Sequence, residues 1–166
     1  MVLPPLAPLR GEDVIAVIGC GNTNRSDDGA GVAVIQSLRK TATRADVRLF
    51  DAGTDGMSVM FAARGCSTLI VVDCCRTGAE PGAVFEVPGP ELEVAHEPSL
   101  NLHDFRWDHA LHAGRRIFRE QFPTDVVVLL IEARSLALGV ELSAEVAAAA
   151  SRVCARVEQL ISARPS

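Results

Sequence analysis

The chain has 166 residues, 48% of them hydrophobic and 22% charged, with a formal net charge of −5. This length serves one domain with a substantial core, and the acidic balance argues against nucleic acid as a general partner. No run of about 18 apolar residues exists, so no membrane-spanning helix is expected.

The start, MVLPPLAPLRGED, holds three prolines and no basic flank before an apolar core. It does not read as a signal peptide; residues 1–12 are expected to form a flexible arm, and the chain reads as cytoplasmic. A single α/β domain is expected over 13–163. Residues 14–18 are a continuous apolar run and predict a strand, and 29–40 a helix with Val32, Ile35 and Leu38 at helical spacing. Residues 46–50 alternate as a second strand, and 54–64 read as a second helix. The unbroken apolar run 69–72 suits a strand buried on both faces. After the Pro81-Gly82 turn, 83–87 read as a strand near an edge. Residues 88–104 contain three prolines and several acids and read as a long, mobile loop. A helix over 105–120, a buried strand over 126–131 and a closing helix over 143–162, with Ser143 as its amino cap, complete the pattern. The alternation predicts a three-layer αβα sandwich with a largely parallel, twisted sheet of about five strands.

The first strand runs into Gly19-Cys20-Gly21-Asn22, and adjacent carboxylates, Asp27 and Asp28, precede the first helix. In a nucleotide-binding loop this position welcomes phosphate. Two acids there repel an anion and attract a metal ion or another cation. Ligands of open α/β sheets bind beyond the carboxyl ends of the strands, where Asp28, Asp51 and Asp73 all fall. One Asp after a strand is usually a turn cap; three on one sheet edge suggest a shared site. Asp27 is assigned the lesser role of favouring the helix amino end. His96, His103, His109 and His112 are the available imidazoles, with His103 modestly favoured at the exit of the long loop. The five cysteines lack CxxC spacing, so neither a disulfide framework nor a structural zinc site is expected. Cys20 reads as a small loop residue, and Cys74-Cys75 as small residues at a strand end in preference to a redox pair or soft metal ligands.

GCGNTNRSDDGAGV resembles the opening signature of the hydrogenase maturation endopeptidases. The resemblance continues through DAGTDGM (51–57), LIVVDCCRTGAEPGAVFEV (69–87), SLNLHDF (99–105) and GVELSAEV (139–146). It implies a twisted sheet flanked by helices and an aspartyl-type endopeptidase. Such a protease removes the C-terminal extension of a nickel–iron hydrogenase large-subunit precursor after nickel insertion. The family's two acids fall on Asp28 and Asp73 and its histidine on His103, which the resemblance makes both catalytic and metal-contacting. No intrinsic cofactor is implied: the nickel belongs to the substrate, although a divalent ion can occupy the site. The chain departs from the family at Asn24, where an apolar residue is usual, and at Ala52, where glycine is common. No Ser–His–Asp or Cys–His arrangement stands out, so a covalent acyl-enzyme is not the natural mechanism. The alternatives are a non-cleaving nickel-binding chaperone or sensor of hydrogenase assembly, and a Rossmann-like nucleotide-binding protein, which Asp27-Asp28 disfavours.

Overall fold

The structure, a computed structural model, describes residues 14–42, 44–92 and 106–165. Both the proposed arm and most of the long loop, including His96 and His103, lie outside the described residues. Among the described residues no helix is long and apolar enough to cross a membrane.

Five strands form one sheet: β1 (Ile15–Cys20), β2 (Val47–Gly53), β3 (Thr68–Cys75), β4 (Val84–Pro88) and β5 (Asp125–Glu132). Their order is β2-β1-β3-β5-β4, parallel throughout except for the antiparallel edge pair β4–β5. Helices α1 (Ala30–Leu38) and α5 (Ala144–Ser162) cover one face; α2 (Gly56–Ala63) and α4 (Trp107–Phe118) cover the other. The expected αβα sandwich is therefore present.

Alternation along the strands explains how runs without polar residues fill two cores. Side chains of successive strand residues point to opposite faces. Ile15, Val17, Ile70 and Val72 pack with Val34, Ile35, Val153 and Val157. Ala16, Ile18, Leu69 and Val71 pack with Val59, Met60, Ala110 and Leu111. A central parallel strand sandwiched in this way has no need of a polar face.

The strands run further than the apolar runs suggested. Cys20 belongs to β1, and Asp73, Cys74 and Cys75 all belong to β3, because pairing with β5 continues through Cys75 and Glu132. Gly89–Leu92 form one helical turn, α3, at the start of the segment read as loop. The order places α1 and α2 on opposite faces of the sheet, so the chain switches direction between β1 and β3. Such a switch opens a crevice at the strands' carboxyl ends.

That crevice requires α1 to lie almost on the sheet. A Cβ at Gly31 would stand 2.3 Å from the Val72 carbonyl oxygen and 2.4 Å from that of Cys20; one at Gly19 would stand 2.3 Å from the Gly31 carbonyl. These are backbone atoms that cannot swing aside. Gly31→Ala should therefore lower stability by about 2–3 kcal/mol, a fall in Tm of roughly 4–12 °C for a chain of this size. Gly65→Ala, where a Cβ meets nothing and only the positive φ of 79° is strained, should cost about 1 kcal/mol. Calorimetry of the two variants checks the contrast.

Candidate functional site: a carboxylate pair at the switch point

Asp28 sits in a 3-10 turn, Ser26–Gly29, between β1 and α1. The chain reaches this turn through Gly21, whose φ of 124° is open to glycine and whose missing Cβ would lie 1.7 Å from the Asp28 carbonyl oxygen. The Asn22 amide donates to Asp28 Oδ2 at 3.0 Å, and the Cys74 thiol donates to Oδ1 at 3.1 Å. In a nucleotide site a loop amide such as that of Asn22 would face phosphate. Here it is spent on the chain's own carboxylate, which disfavours the nucleotide-binding alternative.

Asp73 comes from β3 and is 5% exposed. Its Oδ1 accepts from the Cys74 amide at 2.8 Å, and its Oδ2 accepts from the Trp107 indole Nε1 at 2.7 Å. The mostly exposed Arg106 guanidinium stands 3.6 Å from Oδ2, where solvent screens most of its pull. Burial pushes the Asp73 carboxyl up to about 6. The Trp107 and Cys74 donors and the Arg106 charge work against that rise, and the nearby Asp28 charge adds to it. The pair can thus share a cleft without holding two full negative charges at low pH.

One donor atom each from Asp28, Asp73 and Cys74 lies within 4.8 Å of the others. Asp28 and Asp73 line a cleft of about 380 Å³ together with Cys20, Gly21, Arg25, Asp55, Arg106 and Trp107. The donor set fits a divalent cation: two oxygens attract it and a soft sulfur lies beside them. Burial raises the Cys20 thiol well above its usual range, and the Cys74 thiol too. Neither is poised as a thiolate nucleophile.

The structure separates the other sequence candidates. Asp51 is exposed, outside this cluster, and its carboxylate accepts from the Gly53 amide at 2.9 Å. It caps a turn, which is the ordinary role of an Asp at a strand end. His109 and His112 on α4 do not join the cluster, and His103 lies outside the described residues. One contributor was missed and another was read as no more than a small residue. Trp107, the chain's single tryptophan, orients Asp73, and Cys74, at the end of β3 as expected, turns its thiol toward Asp28. A polar-tipped aromatic opening a helix beside the long loop was the available signal for Trp107.

Asp27 requires a correction. Its carboxylate is fully buried and accepts four hydrogen bonds. The donors are the amides of Arg134 (2.9 Å), Ser135 (3.0 Å) and Ser143 (2.7 Å) and the Ser143 hydroxyl (3.0 Å). Burial alone would raise its pKa, but these donors outweigh it and hold the group below the usual carboxylate range. Asp27 is therefore a knot that ties segment 134–143 to the site loop, not a helper of the α1 amino end. Ser143 does occupy the amino-cap position of α5, yet its hydroxyl serves Asp27 instead of the helix.

The family model described as "HycI: Hydrogenase maturation protease" matches residues 32–160. This chain belongs to the hydrogenase maturation protease family. The match starts C-terminal of Asp28 and includes Asp73, so Asp28 rests on the geometry above. Among curated relatives, the hydrogenase expression/formation protein HupD of Rhizobium leguminosarum is 30% identical over 113 residues, 67% of this chain and 54% of its own length. The chain spans about half the length of the curated relatives it matches. The hydrogenase maturating endopeptidase HybD of Escherichia coli superimposes with a TM-score of 0.72 at 21% identity, covering 87% of this chain and 89% of that one. The NiFe hydrogenase maturation protease HycI of Thermococcus kodakarensis gives 0.71 at 21%, covering 93% and 96%. At such identity these two structures establish the shared fold of the maturation proteases.

Two expectations follow. An amide at position 27 offers one acceptor and turns its NH2 toward donors. Asp27→Asn should therefore lose about 2–4 kcal/mol of stability, against less than about 1 kcal/mol for Asp28→Asn at the cleft; denaturant unfolding of both measures this. Asp73 titrates at about 6 when folded, against 3.8 ordinarily. Its proton is held in both states below pH ~4, so its stabilising contribution is full there and is lost as pH rises through about 6. In Trp107→Phe the donor that favours the charged form is gone, and the Asp73 midpoint should move above that of the parent. Carbon-detected NMR titration of the Asp73 carboxyl reads the shift, and an unchanged midpoint would contradict the role given to Trp107.

Proposed function

We propose that this chain is an endopeptidase that removes the C-terminal extension of a nickel–iron hydrogenase large-subunit precursor. In this reading Asp28, Asp73 and His103 contact the precursor's inserted nickel and so recognise the metal-loaded substrate. The observation that carries it is the convergence of Asp28 and Asp73 in one open cleft at the switch point of a maturation-protease fold. Carboxylate oxygens with an imidazole suit a borderline divalent ion such as nickel. His103 enters on the sequence resemblance.

The residues divide the work by environment. Asp28, held by the Asn22 amide, supplies fixed negative charge at the mouth of the loop. Asp73, poised near 6, is ionised at neutral pH yet basic enough to take a proton from a water attacking the scissile carbonyl. The precursor's ion polarises that water or carbonyl. A precursor without nickel leaves these buried polar groups facing a peptide that cannot pair them, which selects for the loaded form. Processing belongs in the cytoplasm on this reading, and five free cysteines support a reducing compartment.

Incubation with nickel-loaded and nickel-free precursor, read by intact mass, tests the proposal. The loaded precursor should shorten, and Asp28→Asn and Asp73→Asn should slow this by about 100-fold or more, since even outer partners of a metal ligand are worth 10–100-fold. Equal cleavage of both precursors would sink the nickel-reading part. Retention of nickel through desalting, with no cleavage, would point instead to a chaperone or sensor.

A further inference from the structure

The adjacent cysteines of β3 serve opposite sides of the strand. Cys75 Sγ lies 3.4 Å from Glu132 Oε2, within a buried carboxylate knot in which Glu132 also accepts from the Thr77 and Gly78 amides. Cys74, 7% exposed, turns its thiol toward Asp28 Oδ1 at 3.1 Å. Its main chain is fixed on both sides in sequence, because Asp73, Cys74 and Cys75 pair in register with Leu130, Ile131 and Glu132.

The distances bear on what that thiol does. Donors sharing one ion, at bond lengths of about 2.3 Å to sulfur and 2.0–2.2 Å to oxygen, stand about 3.3–4.5 Å apart. The sulfur of Cys74 and one oxygen each of Asp28 and Asp73 already lie within 4.8 Å of one another, so small side-chain rotations bring them to a common ion. We propose that Cys74 Sγ is a third donor of this centre, making it an O,O,S site that prefers thiophilic divalent ions over hard ones such as Mg²⁺. On coordination the S–H bond breaks, its proton leaves to solvent, and the sulfur's electron pair goes to the ion. A coordinating thiol is deprotonated outright in this way. Asp28 Oδ1, relieved of accepting from the thiol, turns to the same ion. A soft donor also favours a nickel-class cation over the magnesium abundant in cells. The inference rests on the proposed function only in placing an ion between Asp28 and Asp73.

The test titrates the purified full chain with Cd²⁺ and follows thiolate-to-metal charge-transfer absorption in the ultraviolet. One band equivalent should grow in per chain and persist in Cys20→Ser and Cys75→Ser. It should vanish in Cys74→Ser, whose Cd²⁺ affinity should fall by about tenfold or more, while its thermal melt shows a folded chain. Independently of any variant, X-ray absorption of the zinc-loaded chain should show one sulfur neighbour at about 2.3 Å. A band surviving in Cys74→Ser, a zinc shell without sulfur, or Cd²⁺ binding unchanged by Asp28→Asn each overturns the inference. Precursor processing is scored separately. A chain that processes precursor but binds no ion through sulfur retains the proposed function and loses this inference; a chain with the sulfur-bound ion and no processing does the reverse.

Discussion

The close passage of α1 across β1 and β3 is the constraint on which the rest depends. With backbone atoms where Cβ atoms would otherwise stand, Gly19 and Gly31 let the helix press onto the sheet. The loop between β1 and α1 is thereby pulled down over the strand ends, and Gly21 turns it so that Asp28 meets Asp73. A larger residue at any of these points would lift the loop and part the carboxylates. The glycines that look like a phosphate-binding signature thus serve a different end: they permit an approach between elements, and the amide left over is occupied by a side chain of the same loop.

Two neighbouring aspartates show how much environment decides. Asp27 is fully buried with four donors around it, which makes its charge an element of structure. Asp28, one residue on, reaches a cleft open to solvent and has acceptor capacity to spare. Asp73 lies between these extremes, buried enough that its carboxyl rises to about 6 and yet reachable from the cleft. Glu132 repeats the Asp27 solution at the end of β5, gathering the Thr77 and Gly78 amides. Two carboxylates therefore fasten loops, and two, Asp28 and Asp73, face the cleft. That division fits a maturation protease whose specificity is proposed to depend on a cation carried by its substrate.

Much of this was legible in the residues. The continuous apolar runs of β1, β3 and β5 announced strands buried on both faces, and the position of acids after them located Asp28 and Asp73. Periodicity could not give strand ends, because pairing with β5 carries β3 on through polar residues to Cys75. Cys74 does stand at a strand end, as expected, but its thiol hydrogen-bonds Asp28 across 46 residues of sequence, which no local pattern shows. Asp51 matched the strand-end pattern as well as Asp73 did, but strand β2 lies outside the switch between β1 and β3, and its acid folds back on Gly53. Asp27 was misjudged because its partners, Arg134, Ser135 and Ser143, stand more than a hundred residues away, beyond the reach of any local pattern. The indole donor of Trp107 was hidden likewise by the distance between α4 and β3.

That separation has a consequence for how the chain acquires its shape. The hydrogen bonds of Asp27 close loops of 107 to 116 residues, and backbone bonds between Ser26 or Asn24 and Gly139 do the same. Contacts so far apart in sequence are among the last to be made, since closing a long loop is entropically unfavourable until other packing has brought its ends together. During synthesis, β1 and α1 emerge early and can collapse with β2 and β3. Yet the turn that carries Asp28 stays untied, with the Asp27 carboxylate beside it still held by water, until segment 134–143 docks. Assembly of the cleft is accordingly a late folding event, and a partly folded chain offers an ion or a peptide no finished place to bind.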